Sequence, residues 1–425
     1  MNKNEVLGLI KQEMAPAIGV TEPSTIALAS ARAAQELKGD IKKIELTLDP
    51  GIYKNAHSCT IPNTDQKGIE KAALLGAVSG DPAAGLKVLQ YVSSSDIKKA
   101  EDLFEKDIVD IDIKKGYKDI YVCAKLFTEK DNALTVIQDR HDNIVLVEKN
   151  DEVILDNKDQ NTDKKDNDNT FIDINIDEIL SFINDLHFRD IDFTLEAVGM
   201  NKKLAQSGKK GVGLALGSAL TDLVAEEAIA DDILNYAKRL TAFAIDARMG
   251  GVPKPAMSFC GSGDHGIIAT LPLTAVTERK RIHKAKLAKA VILSYLITYY
   301  IKTKTGKLSA YCGCAVAAGT GAAAGITYLL DGSKEQIVGA INNMAGNITG
   351  IICDGGNFGC SLKAATAASA AVEAALLAIK DHYLESNTGI VGNNLKETLD
   401  NMGKIATPGM EETNQVILDI LKNRS

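Results

Sequence analysis

The chain has 425 residues, a net charge of −8 and a sequence pI near 5.4, with no tryptophan and only 5% aromatic residues. An acidic chain with few aromatic side chains lacks the basic surface and the stacking groups that bind nucleic acids, so we expect no nucleic-acid partner. The length is sufficient for two or three domains.

The N-terminal segment, MNKNEVLGLIKQEMAP, predicts an amphipathic helix with charges throughout, and it has no continuous apolar region of the kind found in signal peptides. The longest apolar stretches, 290–301 and 364–379, are shorter than the about 20 residues that span a bilayer. Seven cysteines without a secretion signal indicate a reducing compartment. We therefore expect a cytoplasmic protein without a membrane partner.

The first 150 residues predict an α+β domain. Residues 2–38 and 67–89 have helical periodicity, each with one interruption, and Thr21 can cap the helix that follows the first interruption. Residues 51–62 predict a turn-rich loop. Alternating apolar residues predict a small antiparallel sheet. The predicted strands lie at 41–48, 108–113, 119–128, 133–139 and 143–148.

Residues 151–170 are mostly Asp, Asn, Lys, Gln and Thr. Such a composition cannot bury enough apolar surface to offset ordering, so this segment is predicted to be a disordered polar insertion. From 171 to 425 the chain predicts an all-α, Ala- and Gly-rich catalytic domain. Glycine-rich breaks between its helices lie at 207–217, 249–266, 311–325 and 346–361.

Three cysteines lie among small residues in the C-terminal third of the chain: Cys314 in YCGCAVAAGTG, and Cys353 and Cys360 in IICDGGNFGC. The glycines between Cys353 and Cys360 allow a tight loop that aims both thiols at one place, while Cys314 can arrive from another element. Three thiolates suit a 4Fe–4S cluster with one iron open to a substrate as a Lewis acid. The alternative is that these cysteines are small buried residues.

The segment CGSGDHG contains a GxGxxG pattern, but no βαβ unit surrounds it and no acidic residue follows at the required distance. We interpret it as a loop whose backbone N–H groups, including that of Gly263, bind a carboxylate together with Ser262. Asp264 and His265 are candidates for proton transfer. A structural glycine turn with a hydrogen-bonded histidine is the alternative.

The segment KNAHSCTIPNT places Lys54, Asn55 and Cys59 in one polar loop after a strand, as in many binding sites, although a solvated loop is the alternative. Arg248 can bind a carboxylate with two hydrogen bonds. It can equally cap a helix C-terminus or pair with Asp246. No nucleophile elbow accompanies a possible Cys-His-Asp hydrolase site.

Six segments occur in a fixed order along the chain: GVTEPSTIALASA, LDPGIYKNAHSCTIPNT, LLGAVSGDPAAGLKVL, DARMGGVPKPAMSFCGSGDHGIIATLP, LSAYCGCAVAAGTGAAAG and IICDGGNFGCSLKAATAASAA. Together they resemble the iron–sulfur L-cysteine desulfidase family, which is related to the alpha chains of iron–sulfur L-serine dehydratases. The likeness covers nearly the whole chain except residues 151–170. It implies a homodimeric lyase that converts L-cysteine, or secondarily L-serine, by α,β-elimination without pyridoxal phosphate.

The resemblance also implies which residues bind the cluster and the substrate. Its 4Fe–4S ligands would be Cys353, Cys360 and one of Cys314 and Cys312, with Cys314 favoured because its GCxxxxG setting is similar to the dehydratase ligand motif. The substrate sulfur would bind the fourth iron. We expect the small amino-acid substrate to be bound by Thr21, Glu22, Lys54, Asn55, Arg248, Ser262, Gly263 and Asp264.

Val20 is a departure from the family, which has a cysteine at this position of GCTEP and assigns it as the catalytic base. Valine cannot accept a proton. Cys59 is our candidate for a relocated base, since its loop lies beside the GVTEP turn in the family, and we expect its thiol to be partly ionised near a metal and Lys54. His265 is the second candidate. The remaining alternative is a member that has lost catalysis and binds a cluster or an amino acid.

Overall fold

The structure is a computed structural model that describes residues 1–114, 116–117, 119–157, 174–306 and 310–423. An N-terminal α/β region contains a mixed sheet, and the C-terminal part is mostly helical. This agrees with the predicted order of an α+β part followed by a helical part.

The N-terminal region contains five α-helices, seven strands and a 3₁₀ helix among its described residues. The helices are α1 (Lys3–Glu13), α2 (Thr21–Ala34), α3 (Pro50–Ala56), α4 (Ile69–Ser79) and α5 (Ser94–Phe104), and the 3₁₀ helix is Pro82–Lys87. The strands are β1 (Met14–Ile18), β2 (Lys43–Leu48), β3 (Val109–Ile113), β4 (Tyr121–Phe127), β5 (Asn132–Gln138), β6 (Ile144–Lys149) and β7 (Glu152–Asp156).

Six of these strands form one sheet in the order β3-β2-β4-β5-β6-β7. Strand β2 pairs in parallel with β3 and antiparallel with β4, and the later neighbours are antiparallel. The predicted antiparallel sheet is therefore wrong at the β2–β3 pair, because helices α3 to α5 provide the crossover that a parallel pair requires. Helix α2 packs on the face that carries the buried side chains of Val122, Ala124 and Leu126.

The predicted loop at 51–62 is wrong in its first half, which forms helix α3. Asp49 caps this helix by accepting hydrogen bonds from the Gly51 and Ile52 N–H groups, and Pro50 supplies a preset φ at its first position. Asp49 thus fixes the start of a short helix that sequence periodicity does not reveal.

The predicted polar insertion begins later than expected. Residues Glu152–Asp156 form strand β7 along β6, because the run Val153, Ile154 and Leu155 has high strand propensity. The rest of the predicted insertion, 158–170, lies outside the described residues.

The C-terminal part contains twelve described α-helices, one strand and a π-helical turn. The helices are α6 (Ile176–Asp185), α7 (Phe188–Ile191), α8 (Phe193–Gly208), α9 (Leu216–Ala225), α10 (Ile233–Met249), α11 (Gly263–Lys280), α12 (Lys284–Thr305), α13 (Gly319–Leu329), α14 (Lys334–Ile348), α15 (Gly359–Ala378), α16 (Leu395–Ala406) and α17 (Glu411–Lys422). The strand is β8 (Pro255–Phe259), and the π-helical turn is Cys314–Ala318.

Small residues allow these helices to pack closely. A Cβ atom on Gly208 would lie 1.9 Å from the Phe243 carbonyl oxygen, so α8 and α10 can cross at this distance only with glycine there. Asn201 of α8 donates to the Gly266 carbonyl and Thr270 hydroxyl of α11 and accepts from the Met257 N–H of β8. It therefore ties α8 to β8 and α11, the two elements on either side of the CGSGDHG turn.

Each end of the chain packs in the hydrophobic core that is formed mainly by the other region. The larger core is formed mainly by the C-terminal helices, yet it includes Val6, Leu7 and Ile10 of α1. The smaller core lies between the sheet, α2 and α4, yet it includes residues of α17. Strand β1 also pairs antiparallel with β8. The domain boundary at residue 150 stays a prediction, and these crossings join the regions on either side of it.

Across the described ranges, only α15 is long and apolar enough to span a membrane, and 56% of its most apolar window is buried inside the protein. A core helix passes the same test of length and composition.

Candidate active site

Backbone pairing brings the CGC segment beside the loop that carries Cys353. The Cys312 N–H donates to the Ile351 carbonyl at 3.0 Å, and the Cys353 N–H donates to the Ala310 carbonyl at 2.5 Å. Cys314 then opens the π-helical turn that continues into α13. Two segments about forty residues apart in sequence thus place their cysteines at one point of the fold.

The loop from Cys353 to Cys360 folds back on itself, as its glycines predict. Gly355 has a φ of +98°, and a Cβ atom there would lie 2.2 Å from the Lys54 carbonyl oxygen, so only glycine fits. The Asn357 side chain accepts from the Gly359 N–H at 2.7 Å, and the Cys360 thiol points back to the Gly355 carbonyl at 3.6 Å. The loop and the start of α15 therefore hold both cysteines on one side.

Cys312 and Cys353 each act electrostatically on Cys314 and on Cys360. Burial raises the pKa of the Cys312 thiol to about 12, with a further contribution from Cys353. Burial also raises the pKa of Cys314 and of Cys360 well above the usual thiol value, and each is affected by both Cys312 and Cys353. The structure thus brings the four thiols together and keeps the three perturbed ones protonated until a metal displaces their protons.

The donor set consists of thiols, which is the ligand chemistry of an iron–sulfur cluster. Within the described part of the chain, no three His, Cys, Asp or Glu side chains are arranged to hold one metal ion. A polynuclear cluster spaces its thiolate ligands more widely than one ion does, and soft thiolates are the ligands that such clusters use. Cys312 is buried, whereas Cys314, Cys353 and Cys360 are partly exposed.

Three lysines surround the thiols and can offset the negative charge of thiolate ligands. Lys54, in the last turn of α3, is buried, which lowers the pKa of its amine, while the charges of Cys353 and Cys312 act in the opposite direction. Burial likewise lowers the pKa of Lys302, on α12, against the charges of Cys260, Cys314, Cys353 and Cys312, and its Nζ donates to the Gly306 carbonyl. Lys363, on α15, pairs with Asp354 and feels Cys360 and Cys312. Of the three, the sequence identified only Lys54.

Arg248 pairs with Asp264 rather than with Asp246. Its Nη1 lies 2.8 Å from Asp264 Oδ1, and both side chains are buried. Asp246 instead accepts from the Gly217 N–H at 2.9 Å. The reason is geometric, since Arg248 in the last turn of α10 meets the first turn of α11, where Asp264 lies. Among the described residues the buried Arg248 Nε–H has no hydrogen-bond acceptor.

The GVTEP turn and α3 meet through Glu22. Its carboxylate accepts from the Thr21 hydroxyl at 3.1 Å and from the Asn55 amide at 2.7 Å. The Glu22 charge also acts on Arg248 and on Asp264, so the carboxylate lies close to that ion pair. Five of the predicted substrate-binding residues therefore form one buried polar group beside the thiols.

The CGSGDHG segment contributes the N-terminus of α11, which begins at Gly263 after Ser262. The N–H groups of its first turn lack acceptors within the helix, as the carboxylate-binding interpretation requires. The Ser262 hydroxyl lies 3.6 Å from the Cys314 sulfur, which places this helix end next to the predicted ligands.

His265, in the first turn of α11, is buried as a neutral imidazole. Its Nδ1–H donates to the Phe259 carbonyl at 3.1 Å, which leaves the lone pair on Nε2. Burial, followed by the charge of Lys302, lowers the pKa of His265 to about 3. A Cβ atom on Gly313 would lie 2.7 Å from Nε2, so the basic nitrogen faces the CGC segment.

Cys59 lies beside Val20, but its thiol is not ionised. A Cβ atom on Gly356 would lie 3.3 Å from both Cys59 Cβ and Val20 Cγ1. The Cys59 thiol is buried and directed at the Ala56 carbonyl at 3.7 Å. Burial raises its pKa far above the usual thiol value, and this outweighs the opposing charges of Arg248 and Lys67. Burial therefore opposes the partial ionisation that we expect beside a bound metal, and that expectation stays a prediction.

Asn414 of α17 is a site residue that the sequence analysis missed. It accepts a hydrogen bond from Lys54 Nζ at 2.8 Å, across 360 residues of chain. The C-terminal segment carries none of the six family motifs, and only the docking of α17 on α3 reveals the contact.

Residues 83–419 match the protein family described as serine dehydratase alpha chain. The chain is 45% identical over 428 residues to a UPF0597 protein of Clostridium botulinum strain Hall, covering 99% of both chains. It is 38% identical over 420 residues to a UPF0597 protein of Clostridioides difficile strain 630, covering 98% of both. A UPF0597 protein of Alkaliphilus oremlandii is 39% identical over 423 residues, or 99% of this chain and 98% of the relative. These matches confirm the relation to serine dehydratases that the motifs suggested.

Proposed function

Because the chain belongs to the serine dehydratase alpha chain family, we propose that it is an iron–sulfur-dependent lyase acting on a small amino acid by α,β-elimination. L-Cysteine is the proposed substrate, and pyruvate, ammonia and sulfide are the products. The observation that carries the proposal is the group of four thiols beside the buried Arg248–Asp264 pair. We also propose that the Ala- and Gly-rich part from 171 to 425 is the catalytic domain, and that the protein is a cytoplasmic homodimer.

Cys314, Cys353 and Cys360 would hold a 4Fe–4S cluster. Their shared partial exposure supports Cys314 over the buried Cys312 as the third ligand, since a reactive iron must be reached by substrate. When bound, the cluster supplies a Lewis-acidic iron that weakens the bond between Cβ and the leaving sulfur or oxygen.

The polar group beside the thiols would orient the amino acid. The substrate carboxylate would accept from the N–H groups at Gly263 and from Ser262, with the Nε–H of Arg248 within the same group. The substrate ammonium would lie by Glu22, whose carboxylate Thr21 and Asn55 already fix. Such fixed contacts hold the Cα–H bond toward the base while water is excluded by burial.

His265 would accept the Cα proton. Its Nε2 lone pair is available because Nδ1–H is committed to the Phe259 carbonyl. As the proton moves to Nε2, the Cβ–S bond breaks with its electron pair on sulfur, and 2-aminoacrylate forms. That enamine tautomerises to an imine, and water hydrolyses the imine to pyruvate and ammonia. Cys59 shares a side of the site with Val20, but its neutral thiol suits it to lining the site rather than to taking a proton.

L-Serine is the second candidate substrate, and the match to serine dehydratase alpha chains favours it. The same residues would act, with the leaving group a hydroxyl instead of a thiolate. The soft iron–thiolate chemistry of the site is why L-cysteine stands first.

The test is turnover by protein reconstituted with iron and sulfide under anaerobic conditions. We expect pyruvate and sulfide from L-cysteine in a one-to-one ratio, with slower release of pyruvate from L-serine. Faster turnover of L-serine would assign the dehydratase reaction. A loaded cluster without turnover of either substrate would assign a member that has lost catalysis, and failure to take up iron would refute the proposal.

A further inference from the structure

The C-terminal helix reaches the thiol site through one side chain. Asn414 lies in the first turn of α17, and its Oδ1 accepts from Lys54 Nζ at 2.8 Å. One turn further along, Ile417 and Leu418 are buried in the smaller hydrophobic core, with Leu421 beyond them. Residues three and four apart share a helix face, so the same face that anchors α17 also presents Asn414 to Lys54.

Lys54 is in turn packed against the loop that carries two of the proposed ligands. A Cβ atom on Gly355 would lie 3.4 Å from Lys54 Cγ, so the lysine stem runs along this loop. Its amine is in electrostatic contact with Cys353, Cys312 and Asp354. The aliphatic stem is therefore fixed by the loop, and the amine is held at its far end by Asn414.

We propose that Asn414 is a positioning residue for Lys54, so that α17 completes the thiol site from the opposite end of the chain. The inference rests on the proposed function, in which these thiols hold an iron–sulfur cluster. A cation fixed beside thiolate ligands offsets their charge and stabilises the reduced, more negative form of a cluster. Asn414 would thus act on the cluster through Lys54, without touching the cluster or the substrate.

The first experiment uses the cluster-free protein and labels lysines by reductive methylation, with mass spectrometry of the Lys54 peptide. We expect Lys54 to be labelled several-fold faster in Asn414→Ala than in the wild type. Gln415→Ala is the matched control. Gln415 is the next residue on the helix, it is exposed, and its side-chain amide donates to Asp419. Asn414→Asp keeps an acceptor oxygen and should keep the slow rate. Equal rates in Asn414→Ala and Gln415→Ala would overturn the proposal.

The second experiment titrates the reduction potential of the reconstituted cluster. We expect a more negative potential in Asn414→Ala than in Gln415→Ala, and no further change when Asn414→Ala is added to Lys54→Gln. An additive change in the double variant would overturn a role through Lys54. If Asn414→Ala does not fold, Asn414→Ser replaces it, because the shorter hydroxyl cannot reach Nζ. Wild-type protein that takes up no iron would refute the proposed function alone, since the labelling experiment still decides whether Asn414 holds Lys54.

Discussion

At the scale of single residues, burial decides which groups can act. Cys59 and His265 are both buried, yet burial has opposite consequences for proton acceptance. A buried thiol stays protonated, and its neutral sulfur is too weak a base to accept a proton. A buried imidazole also stays neutral, but its unprotonated ring nitrogen keeps a basic lone pair. The pKa directions therefore favour His265 over the thiol that the family comparison suggested.

This contrast gives a prediction about the base. His265→Asn should lower kcat for L-cysteine about 10²–10⁴-fold, the usual loss when a general base is removed. Cys59→Ser should remain within a few-fold of wild type, because the neutral thiol takes no proton. The checks are steady-state kinetics and exchange of the substrate α-proton with solvent deuterium.

Val20→Cys extends the same test. This substitution places a thiol beside Gly356 and Cys59. Loss of kcat in Cys59→Ser equal to that in His265→Asn would contradict the assignment of His265 alone. Activity that appears only in Val20→Cys would show that the natural chain has left this chemistry.

At the scale of elements, the site depends on how helix ends are tied down. Asn201 satisfies three groups on α11 and β8, and Asn201→Ala would leave the buried Met257 N–H without its acceptor. We expect the free energy of unfolding to fall by about 2–4 kcal/mol. Lys203→Ala, at an exposed position on the same helix, should change it by less than about 0.5 kcal/mol.

Denaturant titration of both variants measures the difference, with the slope of the transition as the check on its cooperativity. A loss in Asn201→Ala no larger than that in Lys203→Ala would mean that α11 is held in place without this clamp.

Local sequence patterns predicted some of these elements and missed others for identifiable reasons. Alternating apolar residues predicted five of the six strands of the long sheet and missed β7, since side-chain alternation is a local signal. The parallel pairing of β2 with β3 was missed, because pairing partners depend on the crossover between them. Helix α3 was missed because seven residues are too few for periodicity, and its cap by Asp49 is the signal that identifies it.

At the scale of the whole molecule, the site is assembled from segments that are distant in sequence. The motifs predicted Cys314, Cys353 and Cys360 as site residues because glycine-rich loops leave a sequence signature. Asn414 left none, since an amide on an amphipathic helix resembles any surface residue until the fold docks it. Arg248 was found but its partner was not, because Asp246 and Asp264 are equally plausible before α10 and α11 are placed.

The crossing of both chain ends also explains why the site needs the entire chain. Helix α1 belongs to the larger core and α17 to the smaller one, so each end packs in the core formed mainly by the other region. Loops and cores that approach one another in this way can exclude water from the reacting bond while the ligands remain fixed.

The most direct test of the account is the iron content of anaerobically reconstituted cysteine variants. We predict about four irons per chain and broad absorbance near 400 nm in the wild type, as is typical of thiolate-ligated clusters. Cys353→Ala and Cys360→Ala should lose most of the iron, whereas Cys123→Ala, on strand β4, should bind as much as the wild type. Normal iron content in both Cys353→Ala and Cys360→Ala would contradict the account.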